Sequence, residues 1–410
     1  MLTAPGGPTM TKHPLRAISY VFLICCLAIA AGLAGSENPP VFSGLTAHEW
    51  GTFTSIAGGQ GQAAQWSPLT GSTDLPGFVE HFRSAGFKLG LRGTVRMETP
   101  VLYFYDSREE SVSVKVRFAR GVISEWYPQA SRVEPTATLY DASLDGKQPD
   151  GTIAWDTVTV APSLRADFPT DGRDNHYYAA RQTASTPVLV KTPRGEQQEK
   201  FLFYRGVANF AVPVAARLAI GGQVLIENRS DEEIPGVILF ERRGEKVGFR
   251  VGGAVKERAI LEPPALTENM DSLSRELEGL LVSRGLYQDE AHAMLETWRN
   301  SWFEEGSRLL YLVPDRFVNT VLPLSIWPAP VQTVRVFVGR LELVTPATER
   351  AVERALARHD GATIAKYGRF LEPILQAMMK KESNPERLRR MREALSSYWS
   401  AEVAKNQRGN

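Results

Sequence analysis

Residues 46–55 read TAHEWGTFTS and set a histidine beside a glutamate, the pair from which a general base and its orienting acid are often built. Such a pair works only if the two side chains meet. In a strand they do not: His48, Trp50, Thr52 and Thr54 take one face, and Glu49, Gly51, Phe53 and Ser55 the other. His48 and Trp50 are therefore candidates to line a ligand pocket on one face. Glu49 is expected to pair with an arginine on the opposite face, and buried polar residues of a strand are ordinarily held in this way by neighbours.

A second cluster, DFPTDGRDNHYYAAR at residues 167–181, offers hard oxygens and a histidine. Asp171, Asp174 and His176 are the candidate ligands of a divalent cation, and His176 and Tyr177 are candidate ligand-contacting residues. The spacing does not follow the EF-hand pattern, so the competing reading is an Asp-Gly turn leading into a strand HYYAAR. A third, QDEAHAMLETWRNSWFEEG, places His292 and Glu296 four apart on a helix face, without the second histidine of H-E-x-x-H. This helix is expected over about 289–305. Glu304 and Glu305 would then sit at its C-terminal end, where the helix dipole disfavours negative charge. An arginine, with Arg308 nearest in sequence, is expected to answer them.

Carboxylates in pairs are the requirement for glycoside hydrolysis, a retaining pair lying about 5 Å apart. Glu49, Glu98, Glu304 and Glu305 are the candidate catalytic acids, with Glu125 a further isolated one, provided the fold gathers them. No G-x-S-x-G elbow, Walker A loop or dinucleotide G-x-G-x-x-G follows a strand. No cofactor is expected beyond the open case of a divalent cation.

The stretches AHEWGTFTS, METPVLYFY, EKFLFYRGVANF, SWFEEGSRLLYLVP and VRVFVGRLELVTP are spread over most of the chain. They resemble an uncharacterised family of exported bacterial proteins. The resemblance implies export and a single co-folded unit, and carries with it no activity, cofactor, partner or functional residue.

Short alternating runs dominate residues 41–264. In SVSVKVRFA, Val112, Val114, Val116 and Phe118 share a face while Lys115 and Arg117 take the other. TIAWDTVTV, PVLVKT, EKFLFYRG, QVLIENRS and GVILFERR follow the same pattern, punctuated by turn residues, which indicates a sandwich. LIENRSDEEIPGVILFERRGEKVGFRV reads as two or three consecutive antiparallel strands. Residues 265–405 read as mainly helical: Thr267 as a cap, Gly285 as a stop, Thr345-Pro346 and Asn384-Pro385 as helix starts, and a bend at Pro373. One strand, 332–344, interrupts the helices. Because an unpaired strand leaves its peptide groups unmet, it must return to the sheets of the first half.

Lys12 and Arg16 precede an uncharged run, residues 17–34, that turns small and polar at GSENPP, the order of a signal peptide. Residues 1–36 are read as that leader, or alternatively as an uncleaved anchor of the inner membrane. Both cysteines, Cys25 and Cys26, lie within it, so the remaining chain can form no disulfide. The formal charge of +1 over 410 residues gives no basic stripe for nucleic acid, and membrane contact is expected only through the N-terminal segment. The expected fold class is α+β, a β-sandwich-rich N-terminal portion packed with a helical C-terminal portion that lends a strand to the sheets. The expected function is that of an exported, periplasmic or secreted, non-catalytic binding or interaction protein with an unidentified partner. The alternative is a hydrolase of glycan or other envelope material.

Overall fold

The computed structural model describes residues 42–70, 75–81, 91–135 and 150–408. Residues 1–36, read above as a leader or anchor, with both cysteines, lie outside the described residues. The chain from Phe42 onward forms one compact unit.

Its spine is a sheet in which nine strands are described. Their order runs Lys246–Val255, Ile234–Arg243, Gly306–Leu312, Gln332–Leu343, Thr46–Ile56, Val95–Tyr105, Leu202–Ala208, Gly121–Tyr127, Glu80–His81. At its centre Thr46–Ile56 lies parallel to Gln332–Leu343, in a register that opposes Glu49 to Arg335 and Thr54 to Arg340. It runs antiparallel to Val95–Tyr105 on its other side. The C-terminal portion thus returns its strand to the centre of the sheet, between the strand formed by the HEWGTFTS stretch and Gly306–Leu312.

Both faces of this sheet are covered, which is why every residue of Thr46–Ile56 is buried. One face packs against two smaller sheets. The first is Val214–Leu218, Val224–Asn228 and Arg258–Leu261. The second runs Leu324–Trp327, Glu110–Phe118, Gly151–Val160, Val188–Thr192, Gly195–Glu199, with Arg132–Glu134 beside Gly151–Val160. Phe53, Met97, Phe104, Val112, Val116, Trp155, Ile226, Phe337 and Leu341 fill that interlayer. The alternation read in SVSVKVRFA holds, with Val112, Val114, Val116 and Phe118 buried and Lys115 and Arg117 exposed. The other face carries helices Met270–Ser283 and Gln288–Trp302, over Trp50, Tyr103, Phe203, Ile238, Phe240 and Leu310. A smaller core beneath the last helices joins Ile56 and Trp66 to Val352, Phe370, Leu375 and Met391.

Several expectations are corrected. The C-terminal portion supplies three strands, not one: Gly306–Leu312 and Leu324–Trp327 join Gln332–Leu343. Their runs are short and followed by Pro314 and Pro328, so length alone does not separate them from loop. HYYAAR is a 3₁₀ turn over His176–Arg181, capped by the Asn175 side chain on the Tyr177 N–H, and no strand. Val224–Asn228 does not pair with Ile234–Arg243; it lies in the three-stranded sheet, while Ile234–Arg243 pairs with Lys246–Val255. Asn269, not Thr267, caps the first long helix, through the Ser272 N–H at 2.9 Å. Pro373 falls in the first turn of Leu371–Met379, where a missing N–H interrupts no helical bond, so it marks no bend. Thr345 caps Pro346–Arg358 as expected, and Gly285 adopts φ 104° just past Ser283.

One close contact pins the central strands. Gly339 opposes Tyr311, and a Cβ at 339 would lie 2.0 Å from the tyrosine ring. Gly339→Ala should therefore drive Tyr311 out of its packed position and cost about 1–3 kcal/mol. Pairing it with Tyr311→Ala should relieve the clash, so the two changes are expected to be non-additive in urea denaturation. Additive losses would count against this packing.

Candidate functional site

The alternation of Thr46–Ile56 separates His48 from Glu49, and each finds a different partner. Glu49 faces the sandwich interlayer, where it accepts from the Tyr204 hydroxyl and from Arg335 Nε at 2.7 Å. That arginine stands opposite it in the parallel register. His48 faces the helices, and its Nδ1 lies 2.8 Å from Glu290 Oε2. The Glu290 carboxylate also accepts from Tyr105 Oη at 2.8 Å and from the Tyr287 N–H at 2.7 Å. The histidine therefore does meet a glutamate, but one on the helix Gln288–Trp302. Tyr287 covers the imidazole with its ring centroid 4.5 Å away. Trp50 is fully buried near Tyr103. His48, Trp50 and Glu49 are thus placed as internal ties, and none lines the cavity described next.

Further along the same face the sheet carries charge where a core would carry hydrocarbon. Arg96 and Glu98, two apart, share the helix-facing side of Val95–Tyr105. Arg340 and Glu342 do the same on Gln332–Leu343, in line with the helix-facing Val336 and Val338. Arg205, Arg308, Arg340 and Glu98 are each at most 1% exposed. Burial of this kind is tolerated only when the charges answer one another. Arg369 Nη2 lies 2.9 Å from Glu98 Oε1, and Arg96 Nε 3.5 Å from the same oxygen. Arg340 reaches Glu304 Oε1 at 2.7 Å, Glu342 Oε2 at 3.2 Å and the Ser301 carbonyl at 2.7 Å. Arg308 pairs with Glu342 at 3.0 Å and donates to the carbonyls of Trp302 and Glu305.

The arginine that answers Glu304 is therefore Arg340, whereas Arg308 meets the helix end through backbone carbonyls. The helix stops at Trp302, so Glu304 and Glu305 lie beyond it and no dipole conflict arises. Glu305 turns away and accepts from the Gly244 N–H at 2.9 Å.

Over this charged strip lies a cavity of about 310 Å³. Its walls come from Thr70, Arg96, His176, Thr297, Trp298, Asn300, Ser301, Glu304, Gly368 and Arg369. Each half of the chain contributes: Arg96 and His176 from the β-rich part, the end of Gln288–Trp302 and Arg369 from the helical part. Trp298 stacks on Trp302 and stands 5.9 Å from the His176 ring. Among the buried atoms here that make no hydrogen bond are two donors, Trp298 Nε1 and Arg369 Nε, and two acceptors, both carboxylate oxygens of Glu98. Glu98 sits beneath. Burial alone would raise its pKa, but Arg369, Arg96, Arg340 and Arg205 together outweigh burial and hold it below the ordinary glutamate value.

Of the candidate carboxylates, then, Glu98 and Glu304 converge, Glu49 lies across the sheet and Glu305 faces its edge strands. Of the proposed cation ligands only His176 reaches the cavity. Asp171 is engaged by Arg173 at 2.6 Å, by the Tyr178 hydroxyl and by the Gly77 N–H, and Asp174 is exposed. Tyr177 is core, donating to Glu199 Oε2 at 3.1 Å. His292 is bonded to Glu278 at 3.1 Å, and Glu296 pairs with Arg299. Among the described residues no group of three His, Cys, Asp or Glu side chains is arranged to hold a metal ion.

Arg96, Arg340, Arg369, Asn300 and Ser301 were not singled out from the sequence. The usable signal was the i, i+2 repetition of opposite charge, R-x-E, inside two strongly apolar strands. A larger groove of about 710 Å³ lies against the C-terminal helix Pro385–Arg408, between Leu356, Ile364, Leu371 and Tyr398. It lacks the buried arginine–glutamate network that sets the smaller cavity apart.

No family model matches the chain, and no curated protein matches it. Among solved structures, it is similar to the mu-homology domain of Fcho1 from Danio rerio, solved with an Eps15 peptide. That match has 7% identity and a TM-score of 0.24, and covers 74% of this chain and 98% of that one. It is also similar to a yeast delta-COP-I mu-homology domain complexed with a Dsl1 WxWxV peptide. Here the identity is 10%, the TM-score 0.24, and the coverage again 74% and 98%. Likeness at that level carries neither fold detail nor function across. Among the described residues no helix is long and apolar enough to cross a membrane.

Proposed function

We propose that this chain is an exported, non-catalytic binding protein that receives a small polar ligand in the cavity between its central sheet and the helix Gln288–Trp302. The order of charge, apolar run and small residues over positions 12–36 supports export to the periplasm or beyond. One observation carries the binding reading: the carboxylates at the cavity are paired with arginines, Glu98 with Arg369 at 2.9 Å and Glu304 with Arg340 at 2.7 Å, rather than set apart from cations for proton transfer. Burial acts to raise the pKa of Glu98, but the four arginines around it outweigh burial and lower it, the direction opposite to the one a general acid at neutral pH needs. Glu304, the other converging carboxylate, is tied to Arg340 at 2.7 Å. Hydrolysis with paired carboxylates needs one of them protonated near neutral pH, and such a group is raised by burial away from cations. What the cavity offers instead is an ordered set of donors on rigid elements, the usual make-up of a specific binding site.

The test is a thermal-shift screen of the purified protein against sugars, sugar acids, peptides and divalent ions. A ligand that prefers the native state raises the melting temperature by mass action. At least one small polar compound is expected to give a saturable rise, with no turnover of chromogenic glycosides or esters. Turnover that vanishes in Glu304→Gln would replace this reading with the hydrolase.

A further inference from the structure

We infer that the strand Leu324–Trp327 is a seam at which a second copy of this chain adds to the sheet. The strand stands at the end of its sheet and pairs on one side only, with Glu110–Phe118. The Arg117 N–H donates to the Pro323 carbonyl at 3.0 Å, which fixes the phase of that pairing. By the alternation of an antiparallel pair, Ser325 and Trp327 turn their peptide groups toward Glu110–Phe118, and Leu324 and Ile326 turn theirs to the open side. Among the described residues no backbone group answers these outward N–H and C=O groups. A depression of about 560 Å³ lies beside the strand, walled by Leu324, Ser325 and Ile326 and by Asp315, Asn319 and Arg335, so there is room for a further strand. Its two charged members are already answered, Asp315 by Arg284 at 2.8 Å and Arg335 by Glu49 at 2.6 Å.

Every open sheet has end strands, and composition sets this one apart. Among the described residues, the strands at the other sheet ends each carry charge, for example Lys246, Glu80, Arg217, Arg258 and Glu196. Charge on an edge keeps other strands off. Leu324–Trp327 has none, and residues 323–334 are all uncharged with none buried. Trp327 is 75% exposed and Val331 72%, which places apolar surface beside the open backbone groups. In a two-fold contact a patch meets its own copy, so any charge near the axis would face its like. An uncharged patch is therefore suited to a second copy. The register also closes on itself. With Ser325 on the axis, Leu324 opposes Ile326 of the second copy and Ile326 opposes its Leu324, so both outward residues exchange N–H···O bonds. Lys115, the cation opposite Ser325 on the neighbouring strand, would stand three strand spacings from its copy, about 14 Å. That exceeds the screening length of about 8 Å at physiological salt. A seam this short belongs to the weak, reversible class of interfaces.

Sedimentation velocity of the purified protein over a wide range of concentrations tests this, and should show a reversible approach to the mass of two chains. Ser325 is exposed, so Ser325→Lys and Ser325→Glu are expected to leave the circular dichroism of the fold unchanged. Each sets like charges against each other across the axis and should weaken association at least ten-fold. An equimolar mixture of the two variants should restore association, because opposite charges then meet. Should either variant fail to fold, Trp327→Ala is expected to weaken association several-fold. Association unchanged in a folded Ser325→Lys, or a mixture no better than its components, would overturn the seam. Single-chain mass at every concentration would overturn it too, and co-sedimentation of that single chain with phosphatidylglycerol vesicles would assign the patch to a lipid surface instead.

Discussion

Glu98→Gln should destabilise the protein by about 3–5 kcal/mol at neutral pH, the usual cost of removing one partner from a buried ionic group. The change is nearly isosteric, so the loss is electrostatic. It leaves Arg369, Arg96, Arg340 and Arg205 facing one another around a neutral amide. The pH dependence gives the sign a second check. Burial acts to raise the Glu98 pKa, and the four guanidiniums more than reverse it, so the folded value lies below the unfolded one. The stability Glu98 contributes is then fully present above the unfolded glutamate pKa of about 4.3, and is lost as the pH falls through the lower folded value. Urea denaturation of both proteins at a series of pH values should show a gap that is constant near neutrality and narrows in acid. A gap that widens in acid would mean that Glu98 is not held ionised.

Trp298→Ala is expected to cost a similar amount, about 3–5 kcal/mol, for a different reason. The side chain is 1% exposed, lies parallel to Trp302 at 6.4 Å, and separates the cavity from the core beneath the helices. Truncation leaves a hole that joins the existing cavity, and rigid strands on the sheet side leave little scope for collapse. The midpoint of urea unfolding should fall with its slope unchanged. Trp298→Phe should restore most of the loss, since it refills the space without the indole N–H. Unchanged stability in the alanine variant would contradict the packing described.

How much of this could be read from the residues themselves differs between the fold and the site. The alternation in SVSVKVRFA and TIAWDTVTV, the return of the 332–344 strand and the Thr345-Pro346 start are local patterns, and local patterns survive in the structure. Gly306–Leu312 was missed because both of its faces are buried and it therefore shows no alternation. The HYYAAR turn misled because aromatic residues favour strands on average, whereas here Asn175 caps a helical turn and Tyr177 is drawn into the core by Glu199. His48 illustrates the limit most clearly. Strand geometry separated it correctly from Glu49, but nothing local announces Glu290, 242 residues away. The same holds for the cavity: Glu98 and Glu304 were recognisable as candidate acids, and Arg308 was the expected partner of Glu304, while Arg340 and Arg369 become the partners only once the parallel pairing and the helical roof are formed.

The account turns on one claim, that the two halves of the chain jointly wall a ligand site over the charged strip. Hydrogen exchange read by mass spectrometry, with and without a saturating concentration of the compound that raises the melting temperature most in the thermal-shift screen, tests it most directly, because amides slow where a ligand holds the backbone closed. Slower exchange is predicted together in residues 68–70, 95–98, 297–304 and 368–371, with the groove against the C-terminal helix unchanged. Protection confined to that groove, or absent from one of the two halves, would contradict it.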